Sequence, residues 1–124
     1  MLTKEWLTEN MPEKVETLED YAKVEKFLMD WREMSGGAEG AYAFISTTNK
    51  SDLKKLSARV WNLANSFLDF CIRKYNMLSS YLQANQGKLP QESVHIITRY
   101  GDIDIERSKA IAEALKGIAT MLEI

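Results

Sequence analysis

The stretch 51-SDLKKLSARVWNLANSFLDFCIRKYNMLSSYLQAN-85 contains neither proline nor glycine, and it decides the fold. At about 100° per residue, its apolar side chains fall on one arc about 120° wide, the pattern of a helix packed against a core. The members of this core stripe are Leu53, Leu56, Val60, Leu63, Ala64, Phe67, Cys71, Tyr75, Leu78 and Leu82. We therefore predict one long central helix over about residues 52–85. A break near Asn65 and Ser66, giving two ordinary helices, is the competing interpretation.

Other apolar residues make the arc of this helix unusually wide. Trp61, Leu68 and Ile72 extend it on one flank, and Phe70 and Met77 on the other. The predicted helix would be about 50 Å long, whereas the helices predicted before and after it reach only about 25 and 27 Å. Covering each flanking side chain would contribute roughly 1.5 to 3 kcal/mol. We expect either two shorter helices lying end to end along the long one, or a second copy of the chain that completes the cover.

The residues before this stretch predict a short amphipathic turn and one helix. A short amphipathic segment runs from Thr3 to Asn10. Thr17 and Asp20 have the spacing of a helix-capping pair, and the helix that follows, Leu18 to Met34, should end at Ser35-Gly36-Gly37 because glycine adopts the left-handed conformation that closes a helix.

The sequence of two segments is compatible with either strand or helix. Residues 42–47 and 94–98 are rich in residues that favour strands, and one interpretation pairs them in a minor two-stranded element. The other is a packed loop or helical turn over the first segment and a helix from Pro90 to Tyr100, ended by Gly101. A final helix then covers residues 105–122.

Composition supports a single folded domain. A chain of 124 residues with 45% hydrophobic residues can bury one core, so we predict one all-α domain over residues 1–124, a small helical bundle organised around the long helix. The net charge of -2 argues against an overall electrostatic attraction to nucleic acid or acidic lipid. The single cysteine, Cys71, fits a reducing compartment, and we predict a cytoplasmic protein. No apolar run approaches the roughly 18 residues that span a bilayer, so we expect no contact with a membrane.

The sequence contains few residues suited to catalysis. His95 is the only histidine, and Cys71 lies on the core stripe, where a buried thiol is inert. Asp102, Asp104 and Glu106 alternate and would gather a divalent cation if the backbone were extended, but helix capping is the simpler explanation. We therefore expect no catalytic residue, no metal ion and no cofactor, and hence a protein that is not an enzyme.

Charge is unevenly distributed along the chain. Residues 1–39 carry 10 acidic and 5 basic side chains, whereas residues 40–90 carry 2 acidic and 7 basic ones. A cluster of cations near the start of the long helix suggests a second hypothesis, a nucleic-acid-binding accessory protein. The cluster consists of Lys50, Lys54, Lys55 and Arg59. Neutralisation by the acidic helix before it is the simpler interpretation.

The leading hypothesis is a small all-helical adaptor, inhibitor or assembly subunit that binds a protein partner, a second copy of itself, or both. The residues predicted to form its interface are Trp61, Leu68, Phe70, Ile72, Lys74 and Met77. Lys74 falls inside the apolar arc. Its stem can lie along apolar surface while the ammonium reaches water, or the ammonium pairs with an acidic residue of a partner chain.

Overall fold

A computed structural model describes residues 1–36 and 38–123, and these residues form five helices and no strand. The helices are α1 (Lys4–Asn10), α2 (Leu18–Ser35), α3 (Glu39–Thr47), α4 (Lys50–Ala84) and α5 (Gln91–Leu122). The prediction of an all-α bundle around one long central helix is confirmed, and α4 runs unbroken through Asn65 and Ser66.

The two-stranded interpretation is wrong, because residues 42–47 lie within α3 and residues 94–98 lie within α5. The preference of aromatic and β-branched residues for strands is weak and yields to packing. In α3, Ala41 and Phe44 stand three residues apart on one helical face, and both are buried in the core. Burial of that face outweighs the local preference.

The helix ends follow the capping residues. Thr17 and Asp20 form a complete capping box at the start of α2, and Gly36 closes that helix with a φ of 53°, as predicted. The part of this prediction that concerns Gly37 lies outside the described residues. Asn49 caps α4, since its side-chain oxygen accepts a hydrogen bond from the backbone N–H of Asp52 at 2.8 Å.

One prediction about the second half of the chain is wrong. Gly101 does not end a helix but lies in the middle of α5, which is 32 residues long. Glycine inside a helix costs about 1 kcal/mol relative to alanine, yet here it removes a clash. A Cβ on Gly101 would lie 2.8 Å from Cδ2 of Leu78 in α4. Helix α5 is therefore about 48 Å long and matches α4 in length, contrary to the expectation that no other helix could cover it.

Helices α4 and α5 form one long antiparallel hairpin. Near its open end, which is the end opposite the connection between α4 and α5, the Ser57 hydroxyl donates to the Ala119 carbonyl at 2.7 Å. Closer to that connection, Leu78 packs against Gly101. The core stripe of α4 is buried from Leu53 to Cys71.

The three shorter helices cover only the open end of this hairpin. Tyr21 of α2 stacks on Phe67 of α4, with ring centroids 5.0 Å apart, and Trp6 of α1 stacks on Phe27 of α2 at 5.4 Å. Between Cys71 and Ser108, which are both buried in the core, Gly101 is the only buried residue. Residues 72–107 therefore form a two-helix projection, the distal hairpin.

Candidate protein-interaction surface

The distal hairpin exposes large apolar side chains because α2 reaches only Lys74 and Arg107 at its base, and no other helix among the described residues covers it. An open cavity of about 240 Å³ lies between α4 and α5 in this hairpin, and we call it the distal groove. The groove is lined by Lys74, Tyr75, Met77, Leu78, Tyr81, Tyr100, Gly101 and Asp104. Met77, Tyr81 and Tyr100 are exposed, whereas Leu78 is half-buried and lies against Gly101.

An apolar stripe on α5 adjoins this groove. Ile96, Tyr100 and Ile103 are separated by four and then three residues, so they lie along one side of the helix, and all three are exposed. On α4, Met77 and Tyr81 are also four residues apart. Together these five side chains, the distal apolar patch, are 49 to 74% exposed. Such a concentration of exposed apolar surface is typical of an interaction site.

The groove ends at an ion pair beside α2. Nζ of Lys74 lies 2.9 Å from a carboxylate oxygen of Asp104 and 4.9 Å from the centre of the Tyr21 ring. Burial opposes the charged form of Lys74, but the hydrogen bond and the charge of Asp104 outweigh it, so the pKa of Lys74 is raised. The cation of Lys74 is thus satisfied within its own chain.

A buried polar cluster lies directly behind this ion pair. The Ser108 hydroxyl donates to the Asp104 carbonyl at 2.8 Å, and Cys71 is fully buried. Burial raises the pKa of the Cys71 thiol and also that of the Tyr21 phenol. A thiol that resists ionisation is a poor nucleophile, so this cluster offers little reactivity.

The six residues predicted to form an interface do not share one surface. Trp61, Leu68 and Phe70 are half-buried against the core, and the indole N–H of Trp61 donates to the Glu123 carboxylate at 3.1 Å. Ile72, at 43% exposure, and Met77 are both accessible. Because they are five residues apart, however, they point about 140° away from each other.

Only Lys74 and Met77 of the six line the distal groove. The residues missed by the sequence analysis are Tyr81, Ile96, Tyr100 and Ile103. The helical spacing of the last three was visible in the sequence, but the assumption that Gly101 ended a helix assigned Ile103 to a different segment.

The four basic residues near the start of α4 have different surroundings. The Arg59 guanidinium donates to the carbonyls of Thr8 and Met11, at 3.1 and 2.9 Å, and so holds the end of α1 in place. Lys50 and Lys54 line an open cleft of about 820 Å³ beside Trp61.

Lys55 follows Lys54 directly and therefore points about 100° away from it. Since Arg59 is engaged within the chain, the four cations do not form one continuous patch for a phosphate backbone.

The acidic run at residues 102–106 does not form a cation site, because it is helical rather than extended. Successive members are two residues apart and point about 160° away from each other. Asp104 pairs with Lys74 and Glu106 with Lys109. Throughout residues 1–36 and 38–123, no three His, Cys, Asp or Glu side chains converge on a common point. His95 is exposed on the surface of α5.

Comparison of the chain with protein families, characterised proteins and solved structures found no match. Over the same described residues, no helix combines the length and hydropathy needed to cross a bilayer.

Proposed function

We propose that this protein is a non-catalytic adaptor or assembly subunit that binds other protein through its distal hairpin. The observation that carries the proposal is the distal apolar patch, which lies on a pair of continuous helices outside the core. A helix pair with an unfilled groove suits recognition by further helices. The core at the open end then serves as the base that holds the hairpin in shape.

Several features favour binding over chemistry. The single cysteine is buried with a raised pKa, and Lys74 and Asp104 neutralise each other. The distal groove thus offers apolar surface and tyrosine hydroxyl groups, a composition common at the centres of protein interfaces. Nucleic-acid binding has weaker support, because Arg59 is committed to α1 and Lys55 points away from Lys54.

The proposal is tested by affinity capture from the source organism with three tagged proteins. These are the wild type, the distal variant Met77→Glu/Tyr100→Glu, and the control variant Met29→Glu/Tyr42→Glu, whose replaced side chains are exposed on α2 and α3. We expect a protein that is retained by the wild type and the control but lost with the distal variant. Retention of the same proteins by all three would contradict the proposal.

A further inference from the structure

We infer that the distal groove is occupied by the distal groove of a second copy of this chain, so that two hairpins form a four-helix bundle. The inference deepens the proposed function and rests on it, since it names the partner of the same surface. Three features carry it: the incomplete cover of the hairpin, the charge of the groove and the area of the apolar patch.

The first feature is that α2 packs on the groove side of the hairpin, at a position nearer the core. Tyr21, in the first turn of α2, stacks on Phe67 and lies beneath the ammonium of Lys74. Glu25 pairs with Arg107 of α5. Past Lys74 the side of the hairpin that α2 covers continues as the distal groove, and no third helix formed by residues 1–36 and 38–123 lies over it. The packing of α4 and α5 therefore accepts helices on this side, and their place is vacant in the distal half.

The second feature is the charge of the groove. Its two charged residues, Lys74 and Asp104, pair with each other at 2.9 Å, so the groove is neutral. A two-fold axis brings the same patch of each copy against itself. A patch of one sign would repel its own copy, whereas a neutral patch of methionine, isoleucine and tyrosine does not. The distal groove is thus compatible with itself.

The third feature is area. At 49 to 74% exposure, the five side chains of the distal apolar patch present on the order of 600 Å² of mostly apolar surface, since an aromatic side chain alone carries about 150 to 250 Å². A standard stable interface buries about 800 Å² per partner. Half-buried Leu78 and Ile97 and the stem of Lys74 add to the same side. With these additions the patch reaches the lower end of specific interfaces, about 600 Å² per partner, and it is at the upper end of what a monomer usually exposes.

The two hairpins would pack with their grooves facing each other, which gives four helices around one apolar centre. In this arrangement Met77 and Tyr100 of each copy enter the interface, whereas Met29 and Tyr42 stay in water. A glutamate at an interface position places an unpaired charge in apolar surroundings, while the same substitution at a control position changes only the surface charge.

Sedimentation velocity of the purified full chain over a range of concentrations tests the inference. We expect the wild type and the Met29→Glu/Tyr42→Glu control to sediment with twice the chain mass of 14.2 kDa. The single variants Met77→Glu and Tyr100→Glu should each raise the dissociation constant by about tenfold or more. Circular dichroism of each variant establishes that its helices are intact.

A wild type that stays monomeric at every concentration would overturn the inference, and so would a dimer that persists in the Tyr100→Glu variant. Neither result decides the proposed function. A monomer that captures a host protein through its distal hairpin removes the homodimer and leaves the proposed function standing. A dimer disrupted by the distal variants supports the inference whatever the capture experiment retains.

Discussion

Gly101 of α5 lies directly against Leu78 of α4, so close that a Cβ on the glycine would lie 2.8 Å from Cδ2 of the leucine. Tyr75 approaches the same glycine, with ring atoms 3.6 and 3.8 Å from the position of that Cβ. This contact lets the two helices approach closely beyond the core. It explains why α5 continues through a residue that ordinarily ends or weakens a helix.

The first prediction compares two glycines within α5. Gly117→Ala should raise the free energy of unfolding by up to about 1 kcal/mol, because nothing lies within 4 Å of the added Cβ and alanine favours the helix. Gly101→Ala gains the same propensity but must displace Leu78. We expect its free energy of unfolding to lie about 1 to 2 kcal/mol below that of Gly117→Ala in urea unfolding. Equal stability of the two variants would refute a tight contact at Gly101.

The second prediction concerns the attachment of α1. Arg59→Met removes the two hydrogen bonds to the carbonyls of Thr8 and Met11, so the free energy of unfolding should fall by about 1 to 3 kcal/mol. Hydrogen exchange should accelerate in α1 more than in α5. The matched control is Lys55→Met, an exposed position on the same helix, where we expect a change within about 0.5 kcal/mol. Unchanged exchange in α1 would argue against this role for Arg59.

The third prediction is a loss of stability in alkaline solution. The pKa values of Cys71, Tyr21 and Lys74 are all raised from their ordinary values of 9.0, 10.0 and 10.5. The unfolded chain therefore loses these protons before the folded chain does. The stabilising contribution is fully present below about pH 9 and declines as the pH rises through the folded pKa values.

Urea unfolding at several pH values from about 8 to about 10.5 measures this decline. The first part of it belongs to the thiol, so Cys71→Ala should be less stable overall but flatter between about pH 8.5 and 9.5. A variant that declines as steeply as the wild type in that interval would exclude the thiol as the cause.

The fourth prediction separates an intrachain ion pair from one between copies. Lys74→Glu places a second carboxylate beside Asp104 and should lower the free energy of unfolding by about 1 kcal/mol, because the groups are partly exposed. The double variant Lys74→Glu/Asp104→Lys restores opposite charges within each chain. We expect it to recover most of the lost stability and to retain the dimer measured by sedimentation. Recovered stability with a lost dimer would show that one of these charges pairs across the interface.

The sequence alone was sufficient for the helical class, the course of α4 and most of its buried face. Leu53, Val60 and Phe67 recur at helical spacing over a stretch without helix-breaking residues, and that information is local. The caps of α2 were equally readable, since Thr17, Asp20 and Gly36 act on backbone groups within a few residues of themselves. Local chemistry of this kind leaves a pattern in the chain itself.

Tertiary structure decided the rest. A glycine stands inside α5 at position 101 because Leu78, which is distant in sequence, occupies the space that a side chain would fill. Arg59 binds the end of α1 because the fold brings the carbonyls of Thr8 and Met11, which are distant in sequence, within hydrogen-bond distance of its guanidinium. The candidate surface was only partly predicted, since the sequence identified Met77 but could not place it beside Tyr100. The sequence determined which faces of the helices are apolar, and only packing between distant segments decided which of those faces remained uncovered.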